Sequence, residues 1–181
     1  IKRYAEKDIE RALRSSGAVV VVGPKFCGKT TTSMLFQKSF MKLNTNSRIK
    51  LARLNPKLAL EGKNPRLIDE WQTVPEIWNY VKEDLDNEYQ FGKYILTGSS
   101  TPVDKSEIHH SGAGRIVAVK MRPMSLYESG ESKGTVSLLE LFEGKPLTTF
   151  DENERFTLED VAFLTCRGGW PISVISDQAV S

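Results

Sequence analysis

Cysteine and histidine are nearly absent, with two of each in 181 residues. Cys27 and Cys166 lie too far apart in sequence to make a disulfide framework, and they do not supply a four-ligand zinc site. His109 and His110 are adjacent, so on a helix or a strand their side chains diverge instead of sharing one ion. Long apolar runs are missing as well. No stretch approaches the roughly 20 residues of a membrane span, and Ile1-Lys2-Arg3-Tyr4-Ala5-Glu6 lacks the apolar core of a signal peptide. These gaps predict a soluble, cytoplasmic protein with no membrane partner. The chain opens on Ile1 instead of Met, as a sequence trimmed of an export signal or a further domain would. Charge of one sign is also lacking: 25 basic residues face 23 acidic ones and are spread without a strong cluster, so nucleic acid is not indicated. Internal repeats and low-complexity tracts are absent too.

What is present is Gly23-Pro24-Lys25-Phe26-Cys27-Gly28-Lys29-Thr30, which fits the phosphate-binding pattern G-x-x-x-x-G-K-[ST] at every fixed position. Gly23 and Gly28 lack Cβ atoms, which lets the loop curl until its backbone N–H groups point inward at phosphate oxygens. Lys29 then supplies a mobile charge for the β- and γ-phosphates. The Thr30 hydroxyl is placed to ligand a Mg²⁺ that bridges them. With Thr31 added, this stretch is the expected binding site for ATP. Its surroundings agree, since Ala18-Val19-Val20-Val21-Val22 is the β-branched run of a strand buried on both faces and ends where the loop begins. A helix from Thr30 to about Leu43, carrying Met34, Leu35 and Met41 as its apolar residues, is expected next, its dipole adding to the anion site.

Before the loop, Ala5, Ile9, Ala12 and Leu13 share one face of a predicted helix over Tyr4 to Leu13. Between Leu43 and Pro65 neither a period of two nor one of 3.6 holds, and a disordered or deleted stretch is expected near Asn44 to Arg48. Pro65-Arg66-Leu67-Ile68-Asp69-Glu70-Trp71 follows, a short apolar strand that stops on two adjacent carboxylates. Asp69 suits Mg²⁺, commonly through its water shell, and Glu70 suits the activation of a water for attack on the γ-phosphate. The competing reading is an acidic helix start. Pro75 then fits a first helical turn, with Ile77, Trp78, Val81 and Leu85 as its apolar stripe. Tyr94-Ile95-Leu96-Thr97-Gly98-Ser99-Ser100 reads as a third strand, from which Thr97 or Ser99 could contact the γ-phosphate or the attacking water; a plain turn through Gly98, Ser99 and Pro102 is the alternative. Arg115 precedes the β-branched run Ile116-Val117-Ala118-Val119, expected to be the last strand, and by spacing alone an arginine there is a solvated or surface-paired cation. Beyond Arg122 the pattern changes to short helices: one capped by Ser137, one opened by Thr157-Leu158-Glu159-Asp160 and stopped by Gly168-Gly169, and one begun by Trp170-Pro171. Lys145 to Glu154 reads as a flexible loop.

Together, the loop through Thr32, Leu67-Ile68-Asp69-Glu70-Trp71-Gln72, Ile95-Leu96-Thr97-Gly98-Ser99, Gly112-Ala113-Gly114-Arg115, Met121-Arg122-Pro123-Met124-Ser125-Leu126 and Gly168-Gly169-Trp170-Pro171 resemble the prokaryotic AAA-type ATP-binding proteins that usually carry a C-terminal DUF4143 domain. The likeness runs over almost the whole chain. It implies an α/β fold with a parallel sheet in strand order 5-1-4-3-2, an ATPase core over residues 1–124 and a helical subdomain over 125–181, with partner recognition in the domain that would follow. It also implies a homo-oligomer in which Arg115 reaches the γ-phosphate bound by a neighbouring subunit, although the Leu43 to Pro65 region lacks the family's expected strand. The expected activity is Mg²⁺-dependent ATP hydrolysis with Lys29, Glu70, Thr97 and Arg115 as the catalytic set. GTP is disfavoured by the lack of a guanine-reading Asn/Thr-Lys-x-Asp motif. A nucleotide-gated switch with little turnover is the second reading, and a phosphotransferase the third, because there Glu70 has no task.

Overall fold

The computed structural model describes residues 1–99, 114–134, 136–145 and 156–178. The chain divides into two compact units, Lys2–Arg122 and Pro123–Ser181, with Ile1 grouped with the second. His109 and His110, Gly112-Ala113 and most of the Lys145 to Glu154 loop fall outside the described residues, as does the Ser99 side chain.

The first unit is built on five strands, β1 (Ala18–Gly23), β2 (Ser39–Lys42), β3 (Arg66–Asp69), β4 (Tyr94–Ser99) and β5 (Ile116–Lys120), all parallel and in the order β2-β3-β4-β1-β5. Read from the other edge, this is the expected 5-1-4-3-2. The β-branched run suits β1 to an interior place, between β4 and β5, because both of its faces find apolar cover. Ala18 and Val20 face a core with Ile68, Leu96 and the stripe Ile77, Val81 and Leu85 of helix α5 (Ile77–Asn87). Val19 and Val21 face the opposite core, where Ala5, Ile9 and Ala12 of α1 (Tyr4–Ser15) pack with Leu67, Ile95 and Val119. Side chains that alternate between the two faces of one strand, buried on both, thus fasten a helical layer to each side of the sheet. Truncating a fully buried contributor such as Ile9 or Leu96 to Ala costs about 2–5 kcal/mol.

Two expectations are corrected in the stretch after the phosphate loop. The helix does not run to Leu43: α2 covers only Lys29–Ser33, and the chain turns through Phe36 into β2. The run Thr30-Thr31-Thr32-Ser33 consists of residues with modest helix propensity, and Met34 and Leu35, which had read as its apolar stripe, are exposed. The region from Asn44 to Arg48 is ordered. Thr45 caps α3 (Asn46–Leu54) by accepting from the Arg48 N–H, and α4 (Lys57–Leu60) follows; Ala52 and Ala59 carry both helices onto the core. The strand that had looked missing is β2, which lies earlier than expected, inside the predicted helix.

The second unit contains α6 (Leu126–Ser129), α7 (Leu138–Phe142), α8 (Leu158–Arg167) and α9 (Pro171–Gln178). Ser125 with Glu128 and Thr157 with Asp160 form reciprocal capping boxes, and Ser137 accepts from the Glu140 N–H. The Thr157 hydroxyl and N–H hold the Asp160 carboxyl below its usual range. Burial acts to raise Glu131, but hydrogen bonds from Arg167, at 2.5 Å, and from Ser129 outweigh it and hold the carboxyl low. Gly168 ends α8 with φ 66°, and Gly169 approaches Met124 so closely that a Cβ would lie 2.1 Å from the Met124 carbonyl oxygen.

Candidate functional site

Strands β1, β3 and β4 end together, and the sequence-predicted residues follow directly from those ends. Asp69 pairs in register with Thr97, so the last residue of β3 stands beside a hydroxyl of β4. The Thr97 hydroxyl donates to Asp69 Oδ1 at 2.5 Å, and the Thr30 hydroxyl, from the start of α2, donates to the same oxygen at 2.7 Å. Asp69 is 2% exposed and Thr97 fully buried. A carboxylate this dry needs such donors, because unpaired burial of its charge is costly. The outcome is one acidic oxygen that joins the loop, β3 and β4.

Lys29 is 7% exposed and curls over its own loop, donating to the Gly23 carbonyl at 2.9 Å and the Pro24 carbonyl at 2.8 Å. Both partners are neutral, so the ammonium keeps an uncompensated charge available for an anion. The two glycines of the loop have different reasons. Gly28 takes φ 98°, which only glycine adopts cheaply. Gly23 is required by packing, since a Cβ there would fall 2.1 Å from the Met121 carbonyl oxygen. The second left-handed residue of the loop is Phe26, at φ 63° and with its ring mostly exposed. Lys25 is exposed, and Pro24 and Thr30 are half-buried; Thr31 is exposed on α2. With α2 only five residues long, its dipole adds little, and the anion-binding capacity rests on the loop's own N–H groups. Cys27 is fully buried and packs among the α1-side core residues, which makes it a filler instead of an accessible thiol.

Glu70 is held by its backbone in an uncommon geometry. It adopts φ 61° and ψ 39°, a left-handed conformation that costs a non-glycine residue about 1–2 kcal/mol. Its N–H donates to the Thr97 carbonyl at 2.9 Å, and its own carbonyl accepts from the Thr73 N–H and hydroxyl at 3.0 and 2.9 Å. These bonds turn the chain sharply after Asp69, so the two neighbouring carboxylates separate. The Gln72 amide donates to Glu70 Oε2. Gln72 lies in a single 3₁₀ turn, Trp71–Thr73, and fits because Gly98 has no side chain: a Cβ there would come within 2.6 Å of Gln72 Oε1. Gly98 and Ser99 belong to β4, while Pro102 of the alternative turn reading lies outside the described residues. Gln72 carried no recognisable signal beyond standing two places after Glu70.

Arg115 is not part of this cluster. Its carbonyl accepts from the Ala18 N–H, at the start of β1, so it stands at the opposite end of the strands from the loop that follows Gly23. There its guanidinium pairs with Asp86 of α5, both about two-fifths exposed. A cavity of about 250 Å³ lined by Lys57, Glu61, Tyr80, Asp84 and Tyr94 also lies away from the phosphate loop. Among the described residues, no three His, Cys, Asp or Glu side chains converge as a metal cluster. None of the described helices is long and apolar enough to cross a membrane.

A model of the AAA domain matches residues 15–130, which include the loop, both carboxylates and β4. The chain belongs to the AAA domain family. Family membership brings nucleotide binding of the ATPase type with it. This AAA domain is 29% identical over 135 residues to uncharacterized proteins of Mycobacterium bovis and Mycobacterium tuberculosis, the match covering 72% of the chain and 31% of each relative. The chain thus spans about a third of the length of the curated relatives it matches. A solved structure, that of Caenorhabditis elegans PCH-2, aligns with 85% of the chain and 48% of its own length at 14% identity and a TM-score of 0.37.

Proposed function

We propose that the chain binds ATP with Mg²⁺ and hydrolyses the γ-phosphate. The observation that carries this reading is Asp69 Oδ1, which accepts from the Thr30 and Thr97 hydroxyls at once and so gathers oxygen ligands next to the Lys29 loop. This donor set suits a hard cation that takes one or two protein oxygens and completes its shell with water and phosphate, which also explains why no three-residue metal cluster is needed. Bound through Thr30 and Asp69, Mg²⁺ would neutralise phosphate charge. Lys29 moves from the Gly23 and Pro24 carbonyls onto phosphate oxygens, and the loop from Gly23 to Thr31 wraps the phosphate chain. Glu70, aimed apart from Asp69 by its left-handed backbone, accepts a proton from the attacking water. Thr97 holds Asp69 in place and is the candidate reporter of the γ-phosphate. Arg115 precedes β5, at the opposite end of the strands from its own loop, so we assign it to the site of a neighbouring copy in a homo-oligomer. The ATPase core is taken as residues 1–124 and the helical part as 125–181, with partner recognition assigned to a DUF4143-type domain like that of the proteins it resembles.

One contact favours the second reading, a nucleotide-gated switch with little turnover: Gln72 engages the Glu70 carboxylate that would have to accept the proton. Steady-state hydrolysis measured with purified protein separates the two. Glu70→Gln is expected to lower turnover about 10²–10⁴-fold with ATP affinity retained. An unchanged rate in that variant removes the hydrolytic mechanism. For Arg115→Ala, specific activity that rises with protein concentration in the parent and no longer does so in the variant supports action across subunits, with a loss of about 10³-fold or more at assembly.

A further inference from the structure

Arg3 lies before α1 and outside every motif of the nucleotide site, yet its guanidinium ends at the back of the phosphate loop. One terminal nitrogen donates to the Cys27 carbonyl and the other to the Arg122 carbonyl, both at 2.7 Å. The residue is 7% exposed, so these are charge-assisted bonds in a dry setting, where they are strongest. The Arg3 backbone is fixed too, its N–H donating to Glu6 Oε1 at 2.7 Å on the first turn of α1. Around this contact the loop lies tight against the end of β5: the Met121 N–H donates to the Val22 carbonyl at 2.7 Å, and the Cys27 thiol stands 3.8 Å from the Met121 carbonyl.

We propose that Arg3 is a positioning residue for nucleotide phosphate, acting through the Cys27–Gly28 peptide. The argument rests on peptide geometry and on the ATP-binding reading above. A trans peptide is planar, with its C=O and N–H pointing in opposite directions. Anchoring the Cys27 oxygen to Arg3, on the β5 side of the loop, therefore turns the Gly28 N–H away from β5, the direction in which the phosphate reading needs it. Gly28, at φ 98°, lacks the steric restraint that would hold this peptide otherwise, so a loop free to flip there is fixed from outside. The guanidinium also polarises the peptide it grips, which strengthens the N–H as a donor to an anion. One planar fork does this with a separate nitrogen for each carbonyl, a rigid two-point grip that the single ammonium of a lysine does not reproduce.

The test uses the full chain with ADP and Mg²⁺ in a calorimeter, together with amide hydrogen exchange on the protein saturated with ADP and Mg²⁺. Arg3→Met is expected to weaken ADP binding about tenfold or more, with Arg3→Lys in between. Exchange at Gly28 should speed up in both variants, while Ile95 and Leu96 in β4 stay as protected as in the parent, a pattern that general loosening of the fold would not produce. Lys29→Ala serves as the reference. If it loses ADP affinity while Arg3→Lys binds ADP and protects Gly28 like the parent, the Arg3 proposal is overturned and the nucleotide site stands. Should Lys29→Ala itself bind ADP unchanged, the nucleotide reading fails and takes the Arg3 proposal with it. Arg3→Lys keeps the charge and most of the side-chain volume, so the test does not depend on Arg3→Met folding.

Discussion

The two ends of the strands of one sheet use charge in opposite ways. At the end where the strands begin, most polar groups meet a carboxylate: Lys93 meets Asp84 at 2.7 Å, Tyr94 donates to Asp84 at 2.7 Å, and Arg115 pairs with Asp86. Arg66 is half satisfied by the Ala59 carbonyl, and burial lowers its guanidinium from the usual value. At the end where the strands finish, the charges are held by neutral partners. Lys29 has carbonyls, Asp69 has hydroxyls, and Glu70 has an amide. An end that neutralises itself supports the fold; an end whose charges stay uncompensated is prepared for a ligand that brings phosphate and a cation.

The largest expected break in this contrast comes from Lys29→Ala. Removing the ammonium should weaken ATP about hundredfold or more, near the upper range of a charge-assisted contact, and leave the melting temperature close to the parent's. Retained affinity in a calorimetric titration would mean that the loop does not bind phosphate. A paired comparison comes next. Asp69→Asn should abolish the Mg²⁺ enhancement of ATP binding. Asp84→Asn, at the other end, should cost about 1–3 kcal/mol of folding stability by removing a charged partner from Lys93, and should change ATP affinity less than about twofold. If Asp84→Asn impairs binding as much as Asp69→Asn does, the functional division between the ends is wrong.

Legibility in the sequence followed the same division. The loop, β1 and the Asp69-Glu70 stop were readable because backbone geometry and two-sided burial demand particular residue types at fixed spacing. β2 was not readable: Ser39-Phe40-Met41-Lys42 is a four-residue edge strand with no β-branched residue, and its partial burial leaves no alternation to detect. Met34 and Leu35 added a false helical stripe in front of it, being apolar but exposed. The strand order was accessible only through resemblance, since it depends on crossovers that no local pattern encodes. For the same reason the sharing of Asp69 Oδ1 by Thr30 and Thr97 appears only once β3 and β4 are adjacent. Arg3 and Gln72 act through contacts that exist only in the folded chain, and a lone arginine or glutamine carries no pattern.

The smallest predicted effect tests the self-neutralising end on its own. Burial first, and then the hydrogen bond to Asp84, push the Tyr94 phenol well above its usual range. A group raised on folding contributes stability that is complete below its unfolded value, about 10, and is lost as pH rises from there toward the folded value. Stability measured by urea unfolding should therefore fall between about pH 10 and 11 more steeply in the parent than in Tyr94→Phe. At neutral pH the variant should lose only about 1 kcal/mol, the worth of one hydrogen bond, because Asp84 keeps Lys93. ATP affinity should not change in either condition. A Tyr94→Phe variant with the same alkaline slope as the parent would show that the phenol is not held by Asp84 and its burial at this end.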